Sequence, residues 1–224
     1  DPGRPLQKLS CKISHDDVIR NILVNPELHN RYNHCINYIS RETKNLDKIQ
    51  SIRVAIDQFS ASIHTFYHIH NSLLVYEVCE DMIMSVVYQD IFQYCLAYTK
   101  KDDTTYINNH SKPIPDIPES IQTCPHLEEY ALQLNQIIDH TSSRDKARVI
   151  TNIMKRAPNN SSADDIIVFM CVILQKSRIT APYAEYYFMK AFLNIDPHFC
   201  RKGKTAYCLN LWYTAISYLS RQTD

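Results

Sequence analysis

The chain has 224 residues in which 24 lysines and arginines balance 24 aspartates and glutamates, so it offers no basic footprint to nucleic acid or an anionic membrane. An apolar share of 45% can build a real core, but the only two glycines, Gly3 and Gly203, exclude a phosphate-cradling loop or dinucleotide fingerprint, which need glycines at set offsets. The same scarcity, with prolines gathered between 113 and 125, predicts an all-α chain rather than strands joined by tight turns.

Residues 1–15 read as a linker. Asp16 to Ile39 follows a helical period through Val18, Ile19, Ile22, Leu23, Tyr32, Cys35, Ile36 and Ile39, interrupted at Pro26. Leu46 to Tyr67 repeats the pattern, and together these runs predict an antiparallel N-terminal helical bundle over 16–72. Leu73 to Tyr98 is the longest uninterrupted apolar pattern and opens a second domain, 73–224. A polar stretch and the series Pro113, Pro115, Pro118 follow, so about 103–124 is expected to be a mobile or functional loop. Further helices are expected over Leu127–Asp139, Arg144–Lys155, Tyr183–Leu193 and Ala206–Arg221.

The most informative stretch is SSADDIIVFMCVILQK, Ser161 to Lys176. Ser161 or Ser162 is a good N-cap, and Ser162 with Asp165 approximates a capping box. Asp164 and Asp165 sit in the first turn, where free N–H groups and the helix dipole favour negative charge. Ile166 to Leu174 is wholly apolar, which predicts a helix through the middle of a domain, too short to span a bilayer. Taken alone, the two acids need do no more than cap that helix.

The order Arg144-Asp145-Lys146 opening one helix, Ser162-Ala163-Asp164-Asp165 opening a buried one, Glu185 to Phe192, and Gly203 with Tyr207 and Asn210 resembles the vacuolar-protein-sorting-nine domain. That domain is the catalytic module of guanine nucleotide exchange factors for early-endosomal Rab small GTPases. The resemblance covers about 75–221 and is most specific in the C-terminal third. It implies an all-α fold, with the N-terminal bundle packed on the catalytic domain. It implies that Asp164 is an acidic finger aimed at the GTPase's phosphate-loop lysine and magnesium site, and that Tyr207 contacts a switch region. Asn210, Asp165 and Val168 join the implied GTPase contacts. Three positions depart from the family pattern: Val168 replaces a proline, Asn210 a threonine, and Ser142 or Ser143 a proline. Asn210 still donates and accepts hydrogen bonds. The implied protein is cytoplasmic, peripheral to endosomes, and needs neither cofactor nor covalent chemistry. The alternative within the resemblance is a degenerate member that binds a Rab as scaffold or effector without exchange.

A GTPase-binding groove also needs apolar contacts, and Tyr186, Tyr187, Tyr207, Trp212 and Tyr213 lie on the two helices after the central one, with Trp212 read as core. Asp145 and Lys146 read as helix-capping and surface charges. His64, His68 and His70 are the competing constellation, a metallohydrolase site, but no glutamate follows His64 as the hydrolytic motif requires. Eight cysteines without a Cys-x-x-Cys pair read as reduced thiols, Cys200 beside Arg201 and Lys202 having the most thiolate-favouring surroundings.

Overall fold

The computed structural model describes residues 14–42, 48–67, 72–158, 161–193 and 203–221, and among them every regular element is helical. Contacts group the chain into two compact units, Asp1–Ile91 and Phe92–Asp224. The division falls inside one long helix, whereas the boundary drawn from the sequence, at 72/73, falls at that helix's start.

In the first unit, α1 (His15–Val24) begins with a full capping box between Ser14 and Asp17. The break at Pro26 separates two helices, because proline suits the first position of α2 (Pro26–Glu42) but cannot continue α1. Asn25 bridges them: its N–H closes α1 on Asn21, while its side-chain oxygen accepts from the Glu27 and Leu28 amides at 3.0 and 3.3 Å. Helix α3 (Lys48–Tyr67) runs antiparallel to α2, as Cys35 against Ala55 and Tyr32 against Phe59 require. Ile22, Leu28, Ile39, Ile52, Ile56 and Ile63 are fully buried between these helices and the first part of α4 (Ser72–Asn109). Tyr32 Oη donates to the Met82 carbonyl at 3.3 Å, and His15 meets Asp81 at 3.2 Å.

Helix α4 does not stop at Tyr98. It continues to Asn109, so much of the expected 103–124 loop is helical at its start, and α5 (Glu119–Gln122) supplies another turn near its end. The continuation is buried through Thr99, Asp103 and Tyr106, spaced as one helical face. Thr99 donates to an Asp103 carboxylate oxygen at 2.7 Å, and the other oxygen accepts the Tyr183 amide at 2.8 Å. Asp116 takes the left-handed conformation (φ 51°), which a short polar side chain tolerates.

The second unit continues with α6 (Leu127–Leu134), a 3₁₀ turn at Asn135–Ile138, α7 (Ser143–Met154), α8 (Ala163–Lys176), α9 (Pro182–Leu193) and α10 (Gly203–Arg221). Phe169 to Leu174 of α8 are all buried, and α6, α7 and α10 contribute to the same core. Trp212 is fully buried there, its indole N–H donating to the Pro182 carbonyl at 3.3 Å.

Helices α8 and α10 run parallel. At their C-terminal ends, Gln175 donates to the His110 and Lys112 carbonyls at 2.6 and 2.7 Å, while Asn109 donates to the Ser220 carbonyl at 2.8 Å. Both helices therefore finish beside the end of α4. Midway, Cys171 Sγ lies 3.6 Å from the Ala215 carbonyl, a register offset of 44 residues.

Candidate functional site

The parallel register brings the beginnings of α8 and α10 to the same end of the unit. Applying the Cys171 to Ala215 offset of 44, Asp164 stands level with Cys208, between Tyr207 and Asn210. Two helices of equal rise per residue keep that offset along their length.

At the start of α8 the N-cap is Ser162, not Ser161, whose hydroxyl donates to the Pro158 carbonyl at 2.6 Å. Ser162 Oγ accepts the Asp165 amide at 3.1 Å, and Asp165 Oδ2 accepts the Ser162 amide at 2.8 Å. The capping work falls to Asp165. Asp164 is exposed, and among the described residues no side chain or amide engages its carboxylate. It projects from the positive end of the helix dipole.

The first turns of α8 surface more than their composition predicts. Ile166, Ile167 and Val168 are half-buried, packed on the core along one side and open on the other. On α10, Tyr207 is 47% exposed and Asn210 is exposed, while Cys208 and Leu209 turn inward. The arrangement is a free carboxylate beside an apolar shoulder, with an aromatic and an amide on the neighbouring helix. It can receive a cation and an apolar segment together. No covalent step is implied by these groups.

The other aromatic residues expected in this groove are elsewhere. Trp212 is core, and Tyr186, Tyr187 and Tyr213 gather with Tyr98 of α4 on another side of α10. The surface reading of Lys146 is corrected: it is fully buried and paired with Glu185 at 2.8 Å. Its ammonium also donates to the Ile137 carbonyl and lies 5.3 and 5.8 Å from the Phe92 and Phe188 ring centroids. Burial pushes the Glu185 carboxyl up to about 7 against the pull of that ammonium, and burial lowers Lys146. Asp145 remains a surface group, paired with Arg148 at 2.7 Å.

Among the described residues no three histidine, cysteine or acidic side chains converge as a metal site; His64 is half-buried, and His68 and His70 lie outside those residues. Cys200, Arg201 and Lys202 also lie outside them. Burial pushes Cys35 up to about 11 and Cys95 and Cys171 to about 12, holding all three as unreactive thiols. No helix among the described residues is long and apolar enough to cross a membrane.

Residues 127–224, from α6 onward, match the family model of the Vacuolar sorting protein 9 (VPS9) domain. No curated protein and no solved structure matches the chain. The C-terminal part of the chain is therefore similar to the VPS9 domain, a family whose general activity is guanine nucleotide exchange on Rab GTPases in vesicle trafficking. Asp164, Asp165, Val168, Tyr207 and Asn210 all fall inside the matched region.

Proposed function

We propose that this chain promotes GDP release from an early-endosomal Rab GTPase, with Asp164 as the acidic finger. The observation that carries the reading is an exposed carboxylate, without a described partner, held level with Tyr207 and Asn210 by two parallel helices.

A GTPase can hold its nucleotide with a dissociation constant on the order of picomolar, about 16 kcal/mol, largely through phosphate, lysine and magnesium contacts. Exchange requires only that the factor bind the empty GTPase far better than the loaded one. A carboxylate does this by pairing with the phosphate-binding lysine and repelling phosphate oxygens from the same place. At an effective dielectric of about 20, a pair at 4 Å contributes roughly 4 kcal/mol before desolvation, equivalent to about a thousandfold in rate. Asp165 fixes the helix start that aims the finger, Val168 supplies part of the apolar shoulder, and Tyr207 and Asn210 receive a switch segment. Such a protein works in the cytoplasm, peripherally on endosomes.

The test is release of a fluorescent GDP analogue from a panel of early-endosomal Rabs, with wild type and Asp164→Ala side by side. The expected result is acceleration that the substitution reduces by at least about a hundredfold, with unchanged thermal unfolding. Acceleration equal in both proteins refutes the finger assignment. Val168 and Asn210 favour one second reading, a scaffold or effector that binds a Rab without exchange; saturable binding with no acceleration by the wild type would establish it.

A further inference from the structure

A second concave feature lies within the same unit, between α4, α9 and α10. Tyr98, Tyr183, Tyr186, Tyr187 and Tyr213 line a cavity of about 340 Å³. The rings are organised in pairs. Tyr98 and Tyr187 stack at 4.5 Å between centroids with 27° between planes, and Tyr186 and Tyr213 approach at 4.8 Å and 30°. Tyr183 meets Tyr213 edge-on at 6.2 Å. Despite this packing, Tyr98 remains 60% exposed and Tyr213 44%. Tyr213 lies six residues beyond Tyr207, about 240° around α10, so the cavity faces a different direction from the candidate exchange site.

The charges around the rings decide what fits. Asp102 lines the cavity one helical turn beyond Tyr98, is exposed, and pairs with no described cation. Behind the wall, the Asp103 carboxylate accepts the Tyr183 amide, adding a second acid close to the rings. Two positive charges oppose them: Arg221 also lines the cavity, and the Lys190 ammonium lies 5.6 Å from the Tyr186 ring centroid. The two acids balance these two cations, and because aromatic faces carry negative potential the five tyrosines tip the cavity toward a further cation. Hydroxyls of Thr99, Thr105 and Ser217 add acceptors at the wall.

We infer that this cavity is a docking site for one basic side chain, arginine or lysine, presented by a partner polypeptide. The volume admits one long side chain, the rings take its stem and charge, and Asp102 takes its donors. Arg221 is a resident positive charge that the incoming one must overcome. Its removal therefore strengthens binding of a cation and weakens binding of an anion.

The experiment uses the full chain labelled with 3-fluorotyrosine, with resonances assigned by single Tyr→Phe variants. The probes are N-acetyl-arginine methylamide and its neutral glutamine and anionic glutamate counterparts. The arginine probe should shift the Tyr98, Tyr186 and Tyr187 resonances saturably, at millimolar concentration. Asp102→Asn should weaken that binding about fivefold and Arg221→Gln should tighten it about twofold or more. No saturable shift, equal binding of the glutamine probe, or weakening by Arg221→Gln each overturns the assignment. Preference for the glutamate probe would make the cavity an anion site and overturn it as well. GDP release by the Asp102 and Arg221 variants should stay at the wild-type rate, which separates this site from the exchange reading.

Discussion

Removing one member of the Lys146–Glu185 pair should destabilise the protein far more than removing both. The pair joins α7 to α9 at 2.8 Å, with the side chains 0% and 4% exposed. Breaking such a pair from one side leaves an uncompensated buried charge, at about 3–5 kcal/mol, whereas apolar replacement of both is often close to neutral. In Glu185→Gln the ammonium keeps the Ile137 carbonyl and two ring faces, placing the expected loss near the lower end, about 3 kcal/mol. At roughly 2–4 °C per kcal/mol for a chain of this size, that is a fall in Tm of about 6–12 °C. Lys146→Met behaves differently, because Glu185 can escape its charge by taking up a proton. Its carboxyl already titrates near 7 in the folded protein against an ordinary 4.5, so the folded state binds more protons than the unfolded chain across that window. Stability from this group is therefore full below about 4.5 and lost as pH rises through about 7, a swing on the order of 3 kcal/mol. Glu185→Gln should flatten that dependence. Lys146→Met should cost little at pH 6 and progressively more above pH 7. The assay is urea unfolding followed by the single, fully buried Trp212, at several pH values, on Glu185→Gln and on the cycle of Lys146→Met, Glu185→Met and the two combined. A double variant costing the sum of the two singles would refute the reasoning, because the side chains would then act independently.

The cap and the α4 continuation make two further predictions. Ser162→Ala removes the acceptor of the Asp165 amide and should lower stability by about 1 kcal/mol in urea unfolding, with a smaller loss of exchange than Asp164→Ala causes. Asp103→Ala removes the acceptor of the Tyr183 amide and the partner of Thr99, both part of a buried contact, and should cost about 1–3 kcal/mol. Hydrogen exchange should quicken first at Tyr183 and Ala184, at the start of α9; unchanged protection there would show that Asp103 does not hold that helix.

The helical elements were legible because their apolar periods are strong, and the start of α8 because a capping box has a fixed spacing. Trp212 was read as core from its helical spacing, and the structure buries it completely. The misreadings share a cause: buried polar groups look like surface in a sequence. Thr99 and Asp103 made α4 seem to end at Tyr98, yet each is satisfied by the other and by backbone inside the fold. Lys146 read as a surface charge because its partner lies far along the chain on another helix, and only tertiary packing reveals the pair. The tyrosine cavity was hidden for the same reason, since three helices contribute its walls. Apolar content alone also overstated the burial of Ile166 to Val168, where the helix emerges at its N-terminal end.

Two adjacent acids open α8, and the structure separates their work. Asp165 closes the capping box with Ser162, so its carboxylate is committed to the Ser162 amide; Asp164, one position earlier, faces outward. A helix turns about 100° per residue, so neighbouring side chains cannot share a direction, and one acid can hold the helix start while the other is presented to a partner. A purely structural pair would not need the second acid, because one carboxylate satisfies the capping geometry. The division also makes the functional test clean. Substituting Asp164 removes at most a modest dipole interaction of about 0.3–1 kcal/mol, whereas a finger pairing with a phosphate-binding lysine would lose several times as much from the exchange barrier. The two effects differ enough in size that unfolding and exchange measured on the same variant distinguish a cap from a catalyst.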